Sequence, residues 1–350
     1  MTKQLSHTDH YTLTVKEIRE ELPDFKTFVL EPDRPLVYKA GQYLTLVHTD
    51  TQQEDVRRSY SITSSPALQE PLSIGVKRIE NGFFSRRLID DVQVGDRIYA
   101  AGAAGLFTLP EDLDAYQQVI LLAAGSGITP IYGLLKTLLY TFPRVAVTLI
   151  YSNRTPEHTI YKSELERLAA DFPKRLHVQF LFSNSPDLSR ARLYKDLLQH
   201  FLREYAVTSP DRMLCYVCGP NNYMRMCYYG LRQAGVPEEN IRRENFNTTK
   251  VATRQMPPDT EAHSVTIRHR NQEHTVRVEY PTTILRAARA EGIQIPYSCE
   301  AGKCGNCTAR CTNGEVWMSY NEVLTERDLA KGLVLTCVGY PVGGPVELDF

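Results

Sequence analysis

The sequence predicts a multi-domain β and α/β protein: an antiparallel β-barrel, then a doubly wound parallel sheet, then a small C-terminal β-grasp domain. Three observations predict this order. Short alternating segments fill residues 11 to about 108, continuous apolar runs alternate with helical segments from about 117, and a hairpin, a short helix and a cysteine-rich loop end the chain. At 350 residues the chain is also too long for one ordinary core.

Residues 1–110 are predicted to form the barrel. Apolar and polar residues alternate there with the period of strands that bury one face, and turn residues separate the segments. The segments are Y-T-L-T-V, K-T-F-V-L, Q-Y-L-T-L-V, S-Y-S-I, L-S-I-G-V and D-R-I-Y-A.

Residues 111–250 are predicted to form the doubly wound domain. Its apolar runs are continuous, which is typical of parallel strands buried on both faces, and strand and helix alternate along the chain. The runs are Q-V-I-L-L-A-A, V-A-V-T-L-I-Y, L-H-V-Q-F-L-F and L-C-Y-V-C. Helical segments are expected around 130–140, 161–171, 191–204 and 221–234.

The C-terminal domain is expected at 263–350, after a polar, Pro-Pro interrupted linker at 251–262. It opens with two alternating segments that indicate a hairpin. A short helix should start at Thr282 or Thr283 and stop at Gly292, before the cysteine loop.

Composition excludes several classes of protein. The net charge is -1, with 40 basic and 41 acidic residues, which argues against a nucleic-acid binder. The first twenty residues contain no apolar signal core, and the most apolar stretch, 119–140, is interrupted by glycines, a proline and a lysine. These two observations predict a cytoplasmic protein. Eight cysteines in this length do not suggest a disulfide scaffold.

Three cysteines are clustered near the C-terminus and a fourth follows at a distance, in the order C-x4-C-x2-C and then a remote cysteine. This is the plant-type [2Fe–2S] spacing. Ala301, Gly302 and Gly305 would let the backbone wrap closely and donate amides to the sulfurs. The predicted metal ligands are Cys299, Cys304, Cys307 and Cys337.

Zinc is the alternative metal. A zinc ribbon needs two C-x2-C knuckles, and the loop offers only the one formed by Cys304 and Cys307. Cys215 and Cys218 form a second, but they lie on an apolar strand of another predicted domain. The same two thiols allow a redox sensor, although buried strand thiols suit that role poorly.

A glycine-rich turn, G-S-G-I-T-P, follows the first apolar run of the α/β domain. Glycines at a strand-to-helix turn let a phosphate approach the backbone, so Gly125, Gly127, Thr129 and Pro130 are candidate nucleotide contacts, although such a turn alone is weak evidence. The next strand ends without Asp or Glu but is followed by Ser152 and Arg154. An Arg at this place suits a 2′-phosphate, which favours NADPH, and a solvated surface Arg is the alternative.

A flavin would be needed between these two centres, because nicotinamide passes two electrons together and the cluster takes one. In R-R-S-Y-S-I, Arg58 could bind a phosphate, Tyr60 could pack on the flavin ring and Ser61 could reach a ring nitrogen. In N-G-F-F-S-R-R-L, Gly82 and Ser85 precede a short helix whose amides suit a pyrophosphate. The alternatives are a cross-strand aromatic and a capping serine.

Taken together, these motifs resemble the ferredoxin–NADP reductase superfamily, in the branch with a C-terminal plant-type ferredoxin domain. Within it, the chain resembles the reductases of phenylacetyl-CoA ring-epoxidase systems. The resemblance covers residues 11 to 350 and rests on R-R-S-Y-S-I, V-K-R-I-E-N-G-F-F-S-R, A-A-G-S-G-I-T-P, L-I-Y-S-N-R-T, C-G-P, E-N-F-N and C-E-A-G-K-C-G-N-C.

The resemblance implies that the R-x-Y-S and G-x-x-S stretches bind FAD and that C-G-P, Cys218 with Gly219 and Pro220, lies by the nicotinamide. It also implies that Glu244 and Phe246 lie near the flavin ring, with Ser61, Cys218 and Glu244 as the catalytic residues. Two features depart from the family pattern. Phe246 is followed by another domain and so cannot be a terminal stacking aromatic, and the family includes FMN-dependent, NADH-using members.

The implied activity is a flavin-dependent NAD(P)H oxidoreductase that passes electrons from NADPH through FAD and the cluster to a partner oxygenase. The resemblance points to a diiron oxygenase acting on an aromatic acyl-CoA. A Rieske dioxygenase or an acyl desaturase is the alternative partner. A hypothesis from another class is a diaphorase with a zinc-stabilised C-terminal binding module.

Overall fold

The computed structural model describes residues 10–49, 55–247, 249 and 255–350. The chain forms two compact units, of which the first ends at Glu244 and the second begins at Asn245. Part of the predicted linker, residues 251–254, lies outside the described residues. In the part of the chain that is described, no helix has both the length and the apolar character needed to cross a membrane.

The first unit begins with an antiparallel six-stranded sheet that curls into a barrel. The segment after β4 meets β5 where Ile62 bridges Ile74, and apolar side chains of all strands point into one core. The spatial order is β4-β3-β6-β1-β2-β5, with β1 (Tyr11–Leu22), β2 (Phe25–Pro32), β3 (Tyr43–Thr49), β4 (Asp55–Ser61), β5 (Ser73–Lys77) and β6 (Arg97–Ala104). A short helix, α1 (Phe83–Arg86), continues into a π-helical turn at Arg87–Asp91 between β5 and β6.

The same unit continues with a parallel five-stranded sheet. Its order is β11-β10-β7-β8-β9, so the chain winds outward from β7 in one direction and then in the other. The strands are β7 (Gln118–Ala124), β8 (Ala146–Asn153), β9 (Leu176–Phe182), β10 (Met213–Cys218) and β11 (Ile241–Glu244). The helices between them are α2 (Ile128–Thr141), α3 (Lys162–Asp171), α4 (Lys195–Tyr205) and α5 (Asn221–Gln233).

Both faces of this sheet are covered, which explains the continuous apolar runs of β7 and β10. Helix α4 starts later than the sequence predicts. The reason is a local turn, in which the Ser189 amide and hydroxyl both donate to the Asp187 carboxylate, followed by Tyr194 in an extended conformation.

Helix α2 packs directly on the barrel. A side chain at Gly133 would meet the Ser64 carbonyl at 3.1 Å, the Ser65 and Thr137 hydroxyls are hydrogen-bonded at 2.7 Å, and Lys136 forms an ion pair with Glu70. The absence of a side chain at Gly133 therefore lets the segment directly after Ser61 come close to α2.

The second unit contains a mixed five-stranded sheet in the order β13-β12-β16-β14-β15. Its elements are β12 (His263–His269), β13 (Gln272–Val278), α6 (Ile284–Ala290), β14 (Thr308–Met318), α7 (Glu326–Ala330), β15 (Leu333–Leu335) and β16 (Gly339–Asp349). As the sequence predicts, the Thr283 hydroxyl caps α6 by accepting from the Arg286 amide, and Gly292 follows the helix at φ +77°. The cysteine loop connects α6 to β14. The predicted fold class is confirmed.

Candidate cofactor sites

The nucleotide-binding crevice is expected where strand order reverses, beyond the carboxyl ends of β7 and β10. The ends of β8 and β11 lie at the same edge. Cys218 is in register with Ala123 on one side and Glu244 on the other, and Ala124 is in register with Ser152. The sheet therefore brings Cys218, Glu244 and Ser152 to one edge from three different strands.

Ser61 joins this edge from the barrel. Its side chain is buried, and its hydroxyl donates to the Glu244 carboxylate at 3.4 Å. Burial raises the pKa of Glu244 to about 8, and the Ser61 hydrogen bond opposes that rise. A half-buried carboxyl group with this pKa holds its proton at neutral pH.

The Cys218 thiol is fully buried beside Glu244. Burial, reinforced by the negative charge of ionised Glu244, raises the pKa of Cys218 well above its ordinary value. Cys218 therefore remains a neutral thiol, which does not suit the redox-sensor alternative.

The two glycines of the G-S-G turn have different structural roles. Gly125 adopts φ +54°, and the position of a side chain there would face open space. Gly127 lies against β10, so that a Cβ atom would overlap the Cys218 carbonyl oxygen. Gly125 thus suits the predicted phosphate approach, whereas Gly127 is required for the packing of α2 against β10.

Replacing Gly127 by alanine is expected to destabilise the first unit by about 3 kcal/mol, because backbone must move to admit the methyl group. Gly125→Ala is the matched control and should cost only about 1 kcal/mol, for the left-handed conformation alone. Chemical denaturation of the two variants measures the difference. Equal losses would contradict the close-packing role of Gly127.

The other predicted residues of this edge have mainly structural contacts in the chain itself. The Thr129 hydroxyl donates to the Ser126 carbonyl at 3.0 Å, Pro130 is buried in α2, and Pro220 precedes the first turn of α5. Gly219 is packed so closely that a Cβ atom would lie 2.9 Å from the side chains of Ala124 and Tyr223.

Two tyrosines that are not among the predicted site residues hold this turn in place. The Tyr151 hydroxyl donates to the Gly125 carbonyl at 3.0 Å, and the Tyr223 hydroxyl donates to the Ala123 carbonyl at 3.1 Å. Both lie next to motif residues in sequence, Tyr151 directly before Ser152 and Tyr223 three positions after Pro220. That adjacency is the signal that could have identified them.

The predicted flavin residues of the barrel lie on β4 and beside α1. Arg58 is exposed and Tyr60 is half-buried, and strand alternation places them on one face. A guanidinium for phosphate and a phenol ring beside it suit a flavin nucleotide. Gly82 precedes α1 as predicted, but Ser85 lies inside the helix instead of before it. Its hydroxyl accepts from the Ile79 amide and donates to the Gly82 carbonyl, which fastens the first turn of α1 to the preceding loop.

At the end of β8, Ser152 is half-buried and Arg154 is exposed. Phe246 belongs to the second unit and is 46% exposed, so the predicted pairing of Phe246 with Glu244 at the flavin stays a prediction.

The cysteine loop is built from residues in the left-handed conformation. Glu300, Gly302 and Gly305 have φ values of +50°, +69° and +75°. A Cβ atom on Gly302 would lie 2.8 Å from the Tyr320 carbonyl oxygen, and the Ala301 amide donates to the Cys299 sulfur at 3.4 Å. Small residues and amide–sulfur bonds therefore occur where the sequence predicts them.

The four thiols are arranged as two pairs. The Cys304 thiol donates to Cys299, which lowers the pKa of Cys299, and the Cys307 thiol donates to Cys337, which raises the pKa of Cys307. The Thr336 amide and hydroxyl donate to the Cys307 carbonyl at 3.2 and 3.0 Å and so hold the remote cysteine against the loop.

Within the described ranges, no three His, Cys, Asp or Glu side chains gather around a single metal position. Two pairs of thiols match the ligand pattern of a [2Fe–2S] cluster, in which four cysteines hold two irons, two to each.

Comparison with known proteins agrees with this geometry. Residues 12–109 match the oxidoreductase FAD-binding domain, 121–228 the oxidoreductase NAD-binding domain, and 267–342 the 2Fe-2S iron-sulfur cluster binding domain. The chain is 31% identical over 353 residues to a subunit of the 1,2-phenylacetyl-CoA epoxidase of Escherichia coli, covering 98% of both chains. The chain belongs to the ferredoxin–NADP reductase family, in the group with a C-terminal 2Fe–2S domain.

A second relative of this reductase is the ferredoxin reductase component of 3-ketosteroid-9-alpha-monooxygenase from Mycolicibacterium smegmatis, 32% identical over 97% of this chain and 96% of the relative. Among solved structures, phthalate dioxygenase reductase matches with a TM-score of 0.60 at 22% identity over 98% of both chains, a likeness of fold. The chain is thus a flavin-dependent NAD(P)H oxidoreductase of the electron-transfer type, and the predicted family is confirmed.

Proposed function

We propose that this reductase takes electrons from NADPH and delivers them to a diiron oxygenase that epoxidises an aromatic acyl-CoA, phenylacetyl-CoA. The observation that carries the choice of partner is the likeness, over the full length of both chains, to the Escherichia coli component of phenylacetyl-CoA epoxidase. The steroid monooxygenase reductase component is as similar, so a steroid oxygenase is the second candidate acceptor. We place the protein in the cytoplasm, because its eight cysteines do not suggest a disulfide scaffold and four of them are the proposed cluster ligands.

When bound, FAD would accept hydride from NADPH and release electrons singly to a [2Fe–2S] cluster held by Cys299, Cys304, Cys307 and Cys337. Within the first unit, Glu244 would hold a proton on its carboxyl group at neutral pH, and the Ser61 hydroxyl would orient that group. Cys218 and Gly219 would form the floor of the nicotinamide site, and the neutral thiol of Cys218 adds no charge to it.

The test of the function is reconstitution. Purified reductase containing flavin, iron and acid-labile sulfide should reduce cytochrome c with NADPH. It should also support consumption of phenylacetyl-CoA when mixed with the oxygenase components of such an epoxidase. Failure to reduce cytochrome c with both cofactors present would contradict the proposed electron path. Coupling only to a 3-ketosteroid hydroxylase would move the assignment to the second candidate.

Arg154 is proposed to select NADPH. Replacing it by alanine should raise KM for NADPH roughly 10- to 100-fold, because a charge-assisted contact to the 2′-phosphate is lost, and should leave KM for NADH unchanged. Arg144→Ala is the matched control, since Arg144 is an exposed arginine that precedes the amino end of β8. Equal effects on both nucleotides, or an equal effect of the control, would contradict this role.

A further inference from the structure

The chain directly after Glu244 is fastened to the cysteine loop by side chains of the second unit. The Asn245 amide group donates to the Glu322 carboxylate at 2.8 Å, and the Tyr320 hydroxyl donates to the other oxygen of that carboxylate at 2.8 Å. The Glu322 backbone amide donates to the Gly302 carbonyl at 3.0 Å. Glu322 therefore links Asn245 to the loop that carries the cysteines.

A second anchor lies at Lys303, between Gly302 and Cys304. Its ammonium group donates to the Thr249 carbonyl at 2.9 Å and lies 6.0 Å from the centre of the Tyr320 ring. Lys303 is only 6% exposed. A buried ammonium group is costly, and an apolar side chain would fill the same space at lower cost, so packing alone does not account for a lysine here.

Between the two anchors the backbone is held by its own asparagines. The Asn247 amide donates to the Asn245 side-chain oxygen at 2.9 Å, and the Thr249 amide donates to the Asn247 side-chain oxygen at 2.9 Å. Asn245, Asn247 and Thr249 are thus each held by hydrogen bonds, and both anchors reach the cysteine loop.

The direct bond between Glu244 and Asn245 connects these anchors to the proposed flavin site. Asn245 follows Glu244 directly in the chain, so the anchored segment begins where the first unit ends. Glu244 is the residue that Ser61 contacts in the proposed flavin site. The same short segment therefore follows directly on a residue of one proposed redox centre and is anchored to the loop of the other.

We propose that Glu322 and Lys303 are positioning residues that set the rate of electron transfer from flavin to cluster by anchoring the segment after Glu244. This inference rests on the proposed electron path. It concerns a step inside the molecule, separate from reduction by NADPH and from the identity of the acceptor protein.

Glu322→Ala tests the first anchor, because it removes both side-chain hydrogen bonds and leaves the backbone bond to Gly302. Anaerobic stopped-flow mixing with NADPH, with flavin followed by absorbance and cluster by freeze-quench EPR, should show flavin reduction at the wild-type rate and cluster reduction slower by on the order of ten-fold. Ferricyanide reduction, which bypasses the cluster, should be unchanged, and cytochrome c reduction should fall with cluster reduction.

Glu322→Gln should restore the wild-type rate, since an amide can accept from Asn245 and donate to Tyr320 in the same geometry. Asn313→Ala is the matched control, because it removes another Asn–Glu hydrogen bond of the second unit, to Glu347, and should change nothing. The iron content, EPR signature and midpoint potential of the cluster should be the same in all variants.

Three results would overturn the proposal. One is cluster reduction at the wild-type rate in Glu322→Ala. Another is a loss of iron or a shifted potential, which would assign Glu322 to holding the cluster itself. The third is an equal fall in ferricyanide reduction, which would place the effect at the flavin. A wild-type protein that reduces ferricyanide but never its cluster would instead refute the proposed electron path.

Discussion

Replacing Cys337 by serine is expected to lower NADPH-dependent cytochrome c reduction by on the order of 100-fold or more, while ferricyanide reduction continues. Cys337 is paired with Cys307 and is the one proposed ligand outside the loop, so its loss would leave one iron without half of its thiolates. Iron and acid-labile sulfide analysis, together with the two acceptor assays, measures the effect.

Cys311→Ser is the control for this variant. Cys311 follows the loop on β14, and its thiol donates to the Asn313 and Gly314 carbonyls instead of to another cysteine. A serine hydroxyl can make the same bonds, so iron content and both activities should match the wild type. If Cys337→Ser kept a full complement of iron and sulfide, the assignment of the fourth ligand would be wrong.

Replacing Glu244 by glutamine is expected to slow the reduction of flavin by NADPH by on the order of 100-fold. The variant keeps a hydrogen-bond acceptor for Ser61 but has no carboxyl proton. The loss of rate therefore measures the contribution of the proton and not that of the contact with Ser61. Bleaching of the flavin absorbance after rapid mixing gives the rate. Glu239→Gln, an exposed neighbour before β11, is the control and should behave as the wild type.

The pH dependence of the wild type follows from the same carboxyl. With a pKa of about 8, Glu244 is neutral below that pH and ionised above it, and the ionised form would oppose negative charge gained by the flavin ring. Flavin reduction should therefore slow as pH rises through about 8, and this dependence should be absent in Glu244→Gln. A wild-type rate that is constant from well below to well above that pKa would contradict the role of the proton.

The free energy of unfolding should also fall as pH rises. The folded protein binds the Glu244 proton more tightly than the unfolded chain, whose carboxyl has its ordinary pKa near 4.5. The free energy of unfolding of the wild type should therefore fall relative to Glu244→Gln as pH rises from about 4.5 through about 8.

Sequence patterns were sufficient to predict the features that depend on interactions between residues close in sequence. Period-two segments predicted the barrel, continuous apolar runs predicted the buried parallel sheet, and Thr283 and Gly292 marked the ends of α6. The cysteine spacing predicted which thiols the structure brings together, because three ligands of such a site lie in one loop.

Contacts between distant residues could not be predicted in this way. Ser61 and Glu244 are separated by 183 positions, and only the packing of α2 on the barrel brings them together. A glycine is needed at position 127 because the Cys218 carbonyl, on a strand far along the chain, leaves no room for a side chain. The residues next to Gly127 in sequence do not show this contact and suggested a phosphate contact instead. Asn245 lies in the E-N-F-N motif, but nothing in that motif indicates Glu322 as its partner, since many polar side chains could occupy that place.

The junction between α2 and the barrel has a consequence for chimeric reductases. Because the Ser64 carbonyl, the Ser65 hydroxyl and Glu70 all meet α2, one helix serves as a wall for both halves of the first unit. If the nucleotide-binding half were exchanged for that of a relative, the helix surface and the barrel surface that meet at this junction would no longer match. Exchange after Glu244 would transplant the flavin and nucleotide halves together, with their shared wall intact.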